Sequence, residues 1–221
     1  MKKFISVVLV LSFVVGCGDS SPAGPHSGSD SAYYPLSVGN QWVYSRSGSI
    51  SVAGIPISTI SGENIADITG QVSHGEGFQV YVQEYNLSDT VDTAGQIVVL
   101  DSTFTTYMNV TDAGVYSYLS LAGSDSVGFV PFPLQVGATW QFSEEPPMTG
   151  EILSLTETVS VPAGTFENCL EMRITWIEAG NTVENVTDFA PNVGRVRNVY
   201  TQSYQSVVTT VTSELMSYSV N

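Results

Sequence analysis

Basic residues are scarce in this chain: six Lys and Arg stand against 21 Asp and Glu, for a formal net charge of −15. Lys2 and Lys3 are the only lysines, and Arg46, Arg173, Arg195 and Arg197 are the only arginines. Such a surface repels polyanions, which excludes nucleic acid as a partner. Histidine is almost as rare. His26 lies in a Gly/Ser/Pro stretch, and His74 lies in the turn "SHGEG", where a solvent-exposed ring is expected. A zinc site needs three or four good ligands, and one such histidine with one spare cysteine does not supply them. There is no G-x-S-x-G element, so the serines have no nucleophile elbow. No stretch past residue 33 carries a helical apolar period, and no run reaches the roughly 20 apolar residues that a membrane-spanning helix needs.

What is present begins with MKKFISVVLVLSFVVGCGDS. Two lysines precede an apolar run from Phe4 to Val15, followed by a small residue and Cys17. The run is too short to span a membrane and reads as an export signal over 1–16. Val14-Val15-Gly16-Cys17 resembles the lipobox of bacterial lipoproteins. The resemblance implies cleavage before Cys17, acylation of that residue, and membrane lipid as a partner. It places the protein in the bacterial cell envelope, periplasmic or surface-exposed. Gly18 supplies no Asp-type inner-membrane retention signal, which favours the outer membrane. With Cys17 acylated, Cys169 has no disulfide partner. Residues 17–32 are Gly, Ser and Pro with little to bury, as in a flexible tether.

From residue 33 to 221 the chain is rich in Val, Ile, Thr, Ser and Tyr, punctuated by Gly, Asn, Asp and Pro. Alternation predicts a strand over 151–161, with Leu153, Leu155, Val159 and Val161 on one face. A second strand is predicted over 166–176, with Leu170, Met172, Ile174 and Trp176 together. "VPAGTF" between them supplies a hairpin turn. Roughly ten to twelve strands are expected on ordinary strand lengths. The fold class is all-β: a single domain forming a strongly curved antiparallel sheet, a sandwich or a distorted barrel.

PLSVGNQWVYS at 35–45 returns as PLQVGATWQFS at 133–143, identical at six of eleven positions. This reads as an internal duplication with pseudo-repeats 33–129 and 130–221, neither able to bury its apolar face alone. The retained residues are those a turn and a core require. Pro35 and Pro133 fix an extended lead-in, and Gly39 and Gly137 permit a tight bend. Trp42 and Tyr44, two apart, point to one face of a strand, as Trp140 does in the second copy. Pro35, Gly39, Trp42, Pro133, Gly137 and Trp140 are therefore expected to be structural anchors. The positions that vary, such as Ser37 against Gln135 and Gln41 against Thr139, are expected to face water.

PLSVGNQWVYS, VPAGTFENCLEMRITW and FAPNVGRVRNV together resemble a group of bacterial envelope lipoproteins that has no established activity. By architecture alone, a lipidated all-β envelope domain is also similar to the lipoprotein-carrier folds, in which a curved antiparallel sheet cradles lipid.

Candidate chemistry is sparse. Asp89, Asp92 and Asp101 flank one loop and are candidate Ca²⁺ ligands, although no EF-hand-type pattern accompanies them. No cofactor is indicated. On a regular strand Cys169 shares a face with Glu167, Glu171 and Arg173. Acidic neighbours make a poor nucleophile of it, and a place in a secondary core layer is expected. Tyr81 and Tyr85 are expected opposite Phe78, Val80 and Val82, with Tyr116 and Tyr118 on opposite faces of their strand. These four tyrosines are the candidate ligand contacts, since a sheet apolar on both faces must cover both or offer one. The function expected is non-catalytic: an anchored envelope protein binding an apolar, carbohydrate or protein ligand. The alternatives are a purely structural envelope component and a hydrolase using paired carboxylates.

Overall fold

The computed structural model describes residues 29–122, 128–144, 147–178 and 180–221. Cys17, His26, the signal segment 1–16 and most of the expected tether lie outside the described residues. Twelve strands form one antiparallel sheet. They are β1 (Gln41–Val52), β2 (Ile55–Ser73), β3 (Gln79–Thr93), β4 (Gln96–Thr111), β5 (Gly114–Tyr118), β6 (Gly128–Pro131), β7 (Thr139–Glu144), β8 (Pro147–Val161), β9 (Gly164–Glu178), β10 (Asn181–Ala190), β11 (Gly194–Tyr204) and β12 (Val207–Ser219). The all-β expectation holds, as a single curved sheet.

The order across the sheet is β6-β5-β4-β3-β2-β1-β12-β11-β10-β9-β8-β7. β1 and β12 therefore meet in the middle, while β6 and β7, consecutive in sequence, are the two edges. The sheet rolls so that these edges approach. Val115 and Val130 of β5 and β6 share a buried cluster with Ile152, Met172 and Ile174 of β8 and β9. The edges are not joined by a strand ladder; instead the Trp140 indole N–H donates to Phe129 O at 2.6 Å. The form is an open barrel.

The duplicated motif makes the same three backbone bonds in both copies. Gly39 N donates to Ile68 O at 2.8 Å, Asn40 N to Ser37 O at 3.1 Å, and Ile68 N to Asn40 O at 2.8 Å. Gly137 N donates to Ile152 O at 2.8 Å, Ala138 N to Gln135 O at 3.0 Å, and Ile152 N to Ala138 O at 3.0 Å. Each motif is a turn clamped onto the second strand of the hairpin it opens. The glycines sit at φ 93° and 80°, a region where a side chain is strained.

Residues 29–32, expected as the end of the tether, are built into the fold. Ser29–Tyr33 form a 3-10 turn, because their polar groups find partners across one end of the roll. Asp30 Oδ2 accepts from Leu134 N at 3.0 Å, Ala32 O accepts from Asn192 N at 2.7 Å, and Tyr33 OH donates to Asn168 O at 3.0 Å.

β8 departs from simple alternation. Its register with β9 shifts between Ile152/Ser154, Ser154/Glu157 and Glu157/Val159. Leu153 and Leu155 are consequently only half-buried while Ile152 and Val159 are buried. Bulges of this kind bend a hairpin. The turn of β8–β9 reaches β12, where Ala163 N donates to Leu215 O at 2.9 Å. In β9, Leu170, Met172, Ile174 and Trp176 lie in one buried cluster as the alternation predicts.

Candidate functional site

The inside of the roll holds a cavity of about 150 Å³. Its walls come from both sides of the sheet and from the N-terminal segment that crosses its end. Leu87, Phe104, Met108, Val130, Ile174 and Phe189 supply apolar surface, and Tyr33, Tyr34, Tyr44 and Tyr85 supply rings.

Polar residues border the same space in an ordered row, and Arg46, Asn198 and Thr187 of that row line it. One row of directly paired residues crosses six strands: Asp89, Gly62, Arg46, Ser213, Asn198 and Thr187. It then continues through apolar Met172 and Ile152. All but glycine in the polar part are buried. Arg46 grips Asp89 with two bonds, Nε to Oδ1 at 2.8 Å and Nη2 to Oδ2 at 3.0 Å, and reaches Ser213 Oγ with Nη1 at 3.1 Å. Gly62 makes this possible, because a Cβ there would collide with Ser88 O and Asp89 Oδ1. Asn198 Nδ2 donates to Thr187 Oγ1 at 2.8 Å and also to Asn185 Oδ1. Satisfied partners on this scale hold the side chains in place.

Arg195 stands apart from the belt. Its guanidinium carbon lies 4.3 Å from the centroid of the Tyr44 ring, and Tyr44 OH donates back to Arg195 O at 3.1 Å. Nearby, burial raises the hydroxyl of Tyr44 and pushes that of Tyr85 up to about 12, so both are neutral at physiological pH.

The carboxylates weighed as candidate calcium ligands do not converge. Asp89 is committed to Arg46, Asp92 Oδ1 accepts from Gly95 N at 2.8 Å in the β3–β4 turn, and Asp101 Oδ1 accepts from Ser88 Oγ at 2.7 Å. Asp89 and Asp92 are three apart on one strand and so face opposite sides. Among the described residues no group of three or more His, Cys, Asp or Glu is placed to hold a metal ion.

Of the four candidate tyrosines, Tyr85 lines the cavity. Tyr81 packs with Trp42 and Ile68, while Tyr116 and Tyr118 are buried together with Val80. The last two share a face because they are two residues apart on β5. His74 is 2% exposed rather than solvated. Its ring stacks on Phe78 at 4.6 Å and tilts against Tyr118 at 4.8 Å, and its Nδ1 accepts from Glu76 N at 3.4 Å. The turn folds inward around it, outside the cavity.

Cys169 is fully buried beside Val159 and Ala190. Burial first, and the charge of Asp188 next, push its thiol up to about 11. Burial also raises Asp188, an effect its bond with Arg197 at 2.7 Å opposes. Such a thiol is a poor nucleophile at neutral pH.

Sequence reasoning missed the polar belt, Arg195 and the tyrosines at 33, 34 and 44. One signal was available: Trp42, Tyr44 and Arg46 share a parity, so Arg46 continues the buried stripe inward. Val183, Asn185, Thr187 and Phe189 form a second such stripe.

Solved structures similar to this chain include a protein of Bacteroides fragilis assigned as exported and as having a YmcC-like fold. It is 15% identical with a TM-score of 0.47, over 84% of this chain and 98% of that one. A protein of Parabacteroides distasonis assigned as a lipoprotein is 16% identical with a TM-score of 0.41, over 85% of this chain and 98% of that one. No family model and no curated protein matches the chain.

Proposed function

We propose that this protein is a non-catalytic envelope lipoprotein, tethered through acylated Cys17, whose open barrel binds a small ligand with an apolar body. The observation that carries the binding role is the cavity inside the roll, walled by apolar side chains and by polar groups locked in place. Among the described residues no carboxylate lines the cavity, and Asp89, which adjoins it through Arg46, is engaged by that arginine. His74 and Cys169 are buried elsewhere, so neither supports a hydrolytic reading. The volume matches that of an engineered apolar cavity known to admit benzene.

Toluene is the direct probe. A ligand that binds only the folded chain raises the melting temperature with its concentration. Saturating toluene is expected to raise Tm of the full chain, and Leu87→Trp, which fills the cavity, is expected to abolish the rise. No shift in the parent protein would sink the binding role. The anchor is checked separately: Cys17→Ser is expected to abolish palmitate labelling, and labelling that persists would refute lipidation at that residue.

A further inference from the structure

The cavity's polar groups are not evenly satisfied. Five buried side-chain polar atoms lack a hydrogen-bond partner among the described residues. Three of them, Tyr34 OH, Asn64 Oδ1 and Arg195 Nη2, belong to residues that line this one cavity. Buried polar atoms are nearly always paired in folded proteins, so three orphans around one space point to a polar group that the space accepts.

The charges facing the cavity sharpen what that group is. Among the described residues the ionised side chains that line it are Arg46 and Arg195, and Asp89 stands behind Arg46. Arg46 and Asp89 neutralise each other through their two-bond grip. Arg195 pairs with no carboxylate in any ion pair of the described residues. Its neighbour on that side is the face of Tyr44, which tolerates a cation but does not neutralise it. In a chain of formal net charge −15, Arg195 thus lines the barrel's cavity with no carboxylate paired to it among the described residues.

Resting on the reading that the cavity binds a ligand, we infer that the ligand is a small monocarboxylate whose head is held by Arg195 and whose apolar body lies against Leu87, Phe104, Met108 and Ile174. Arg195 lines the cavity, and on this inference its guanidinium donates to a carboxylate oxygen, a charge-assisted bond. Tyr34, also in the lining, carries an unpaired hydroxyl that supplies a second donor on the same inference. Asn64 offers either its oxygen or its nitrogen by a turn of the amide, so it too can donate. A cavity of about 150 Å³ limits the body to about the size of a benzene ring or a six-carbon chain.

Three probes with one body separate head from tail: hexanoate, hexan-1-ol and hexylamine, titrated calorimetrically at pH 7 into the full chain held in nanodiscs. Empty nanodiscs serve as the blank. Hexanoate is expected to bind at least tenfold more tightly than hexan-1-ol, with no detectable hexylamine binding. Arg195→Met is expected to erase the hexanoate advantage and leave hexan-1-ol within threefold of its parent affinity. Equal binding of hexanoate and hexan-1-ol by the parent would overturn carboxylate recognition and leave the apolar cavity standing. If none of the three binds, the cavity reading falls and this one with it. Should Arg195→Met not fold, the ranking of the three probes by the parent protein decides the matter alone.

Discussion

Trp42 and Trp140 occupy the same place in two copies of one motif, and their surroundings differ. Both follow the same clamped turn, with a glycine at positive φ bonded to an isoleucine of the next strand. Trp42 lies on β1, flanked by β2 and β12, is 4% exposed, and donates its indole N–H to Val193 O at 2.6 Å. Trp140 lies on β7, an edge strand with β8 alone beside it. It is half-buried and donates to Phe129 O on the opposite edge of the sheet. The clamp is thus a local device that works wherever a hairpin begins. What the indole does depends on the position of its strand: at the centre it fills a core, and at the edge it latches the roll. A shared motif does not confer identical energetic weight.

The comparison breaks first at the centre. Trp42→Ala is expected to cost about 3–5 kcal/mol through lost burial and the cavity left behind. Asp89→Asn, which strands Arg46 in the interior without its counter-ion, is expected to cost a similar ~3–5 kcal/mol. Chemical denaturation measures both, and a loss below ~1 kcal/mol in either would remove the centre's privileged role. Next in size are Gly39→Ala and Gly137→Ala. If the clamp is equivalent in its two settings, the two substitutions cost the same, about 1–3 kcal/mol each, for a side chain at positive φ. A smaller cost at Gly137 would show that the edge copy is the looser one. Smaller still is Trp140→Phe, which keeps an aromatic ring while deleting the latch bond, for about 1 kcal/mol from that bond.

The subtlest test uses alkaline pH. Cys169, after the second motif, has its thiol raised from 9.0 to about 11, and Tyr85 and Tyr118, after the first, have their hydroxyls raised from 10.0 to about 12. In each case burial is the leading cause, so the folded chain holds its proton longer than the unfolded chain does. Stability from these groups is intact below the unfolded values and is lost as pH rises through the window up to the folded ones. Tm is expected to fall first between pH 9 and 11 and further between pH 10 and 12. Cys169→Ala is expected to remove the early part of the fall and leave the tyrosine part. An unchanged early slope would show that the thiol is not held neutral by the fold.

Much of the fold was legible because strands announce themselves locally. Leu170, Met172, Ile174 and Trp176 alternate and are buried together, and the glycines of the motif mark turns that form. The site was not legible, for a reason of register. Alternation assigns polar residues to water, whereas Arg46, Asn185 and Asn198 continue inward stripes whose purpose appears only when neighbouring strands align them into one belt. The side occupied by β8 residues was misjudged because bulges reset parity, and no single residue type encodes a bulge. His74 was misplaced for a related reason. A turn is exposed by default, and only Phe78 and Tyr118, the latter 44 positions away, make this one a small core.

The strand order has a kinetic consequence. Every ladder but one joins strands that follow each other along the chain, so two meanders can zip up from short-range hairpins. The exception is β1 with β12, where Gln41 faces Ser219. Closing that seam joins the two ends of the sheet's sequence, and the loop entropy must be spent before its contacts give anything back. The seam is therefore expected to be the slow event of folding. Substitutions along it, at Arg46 or Ser213, are expected to slow folding, and substitutions in the outer hairpins to speed unfolding, which stopped-flow kinetics measures.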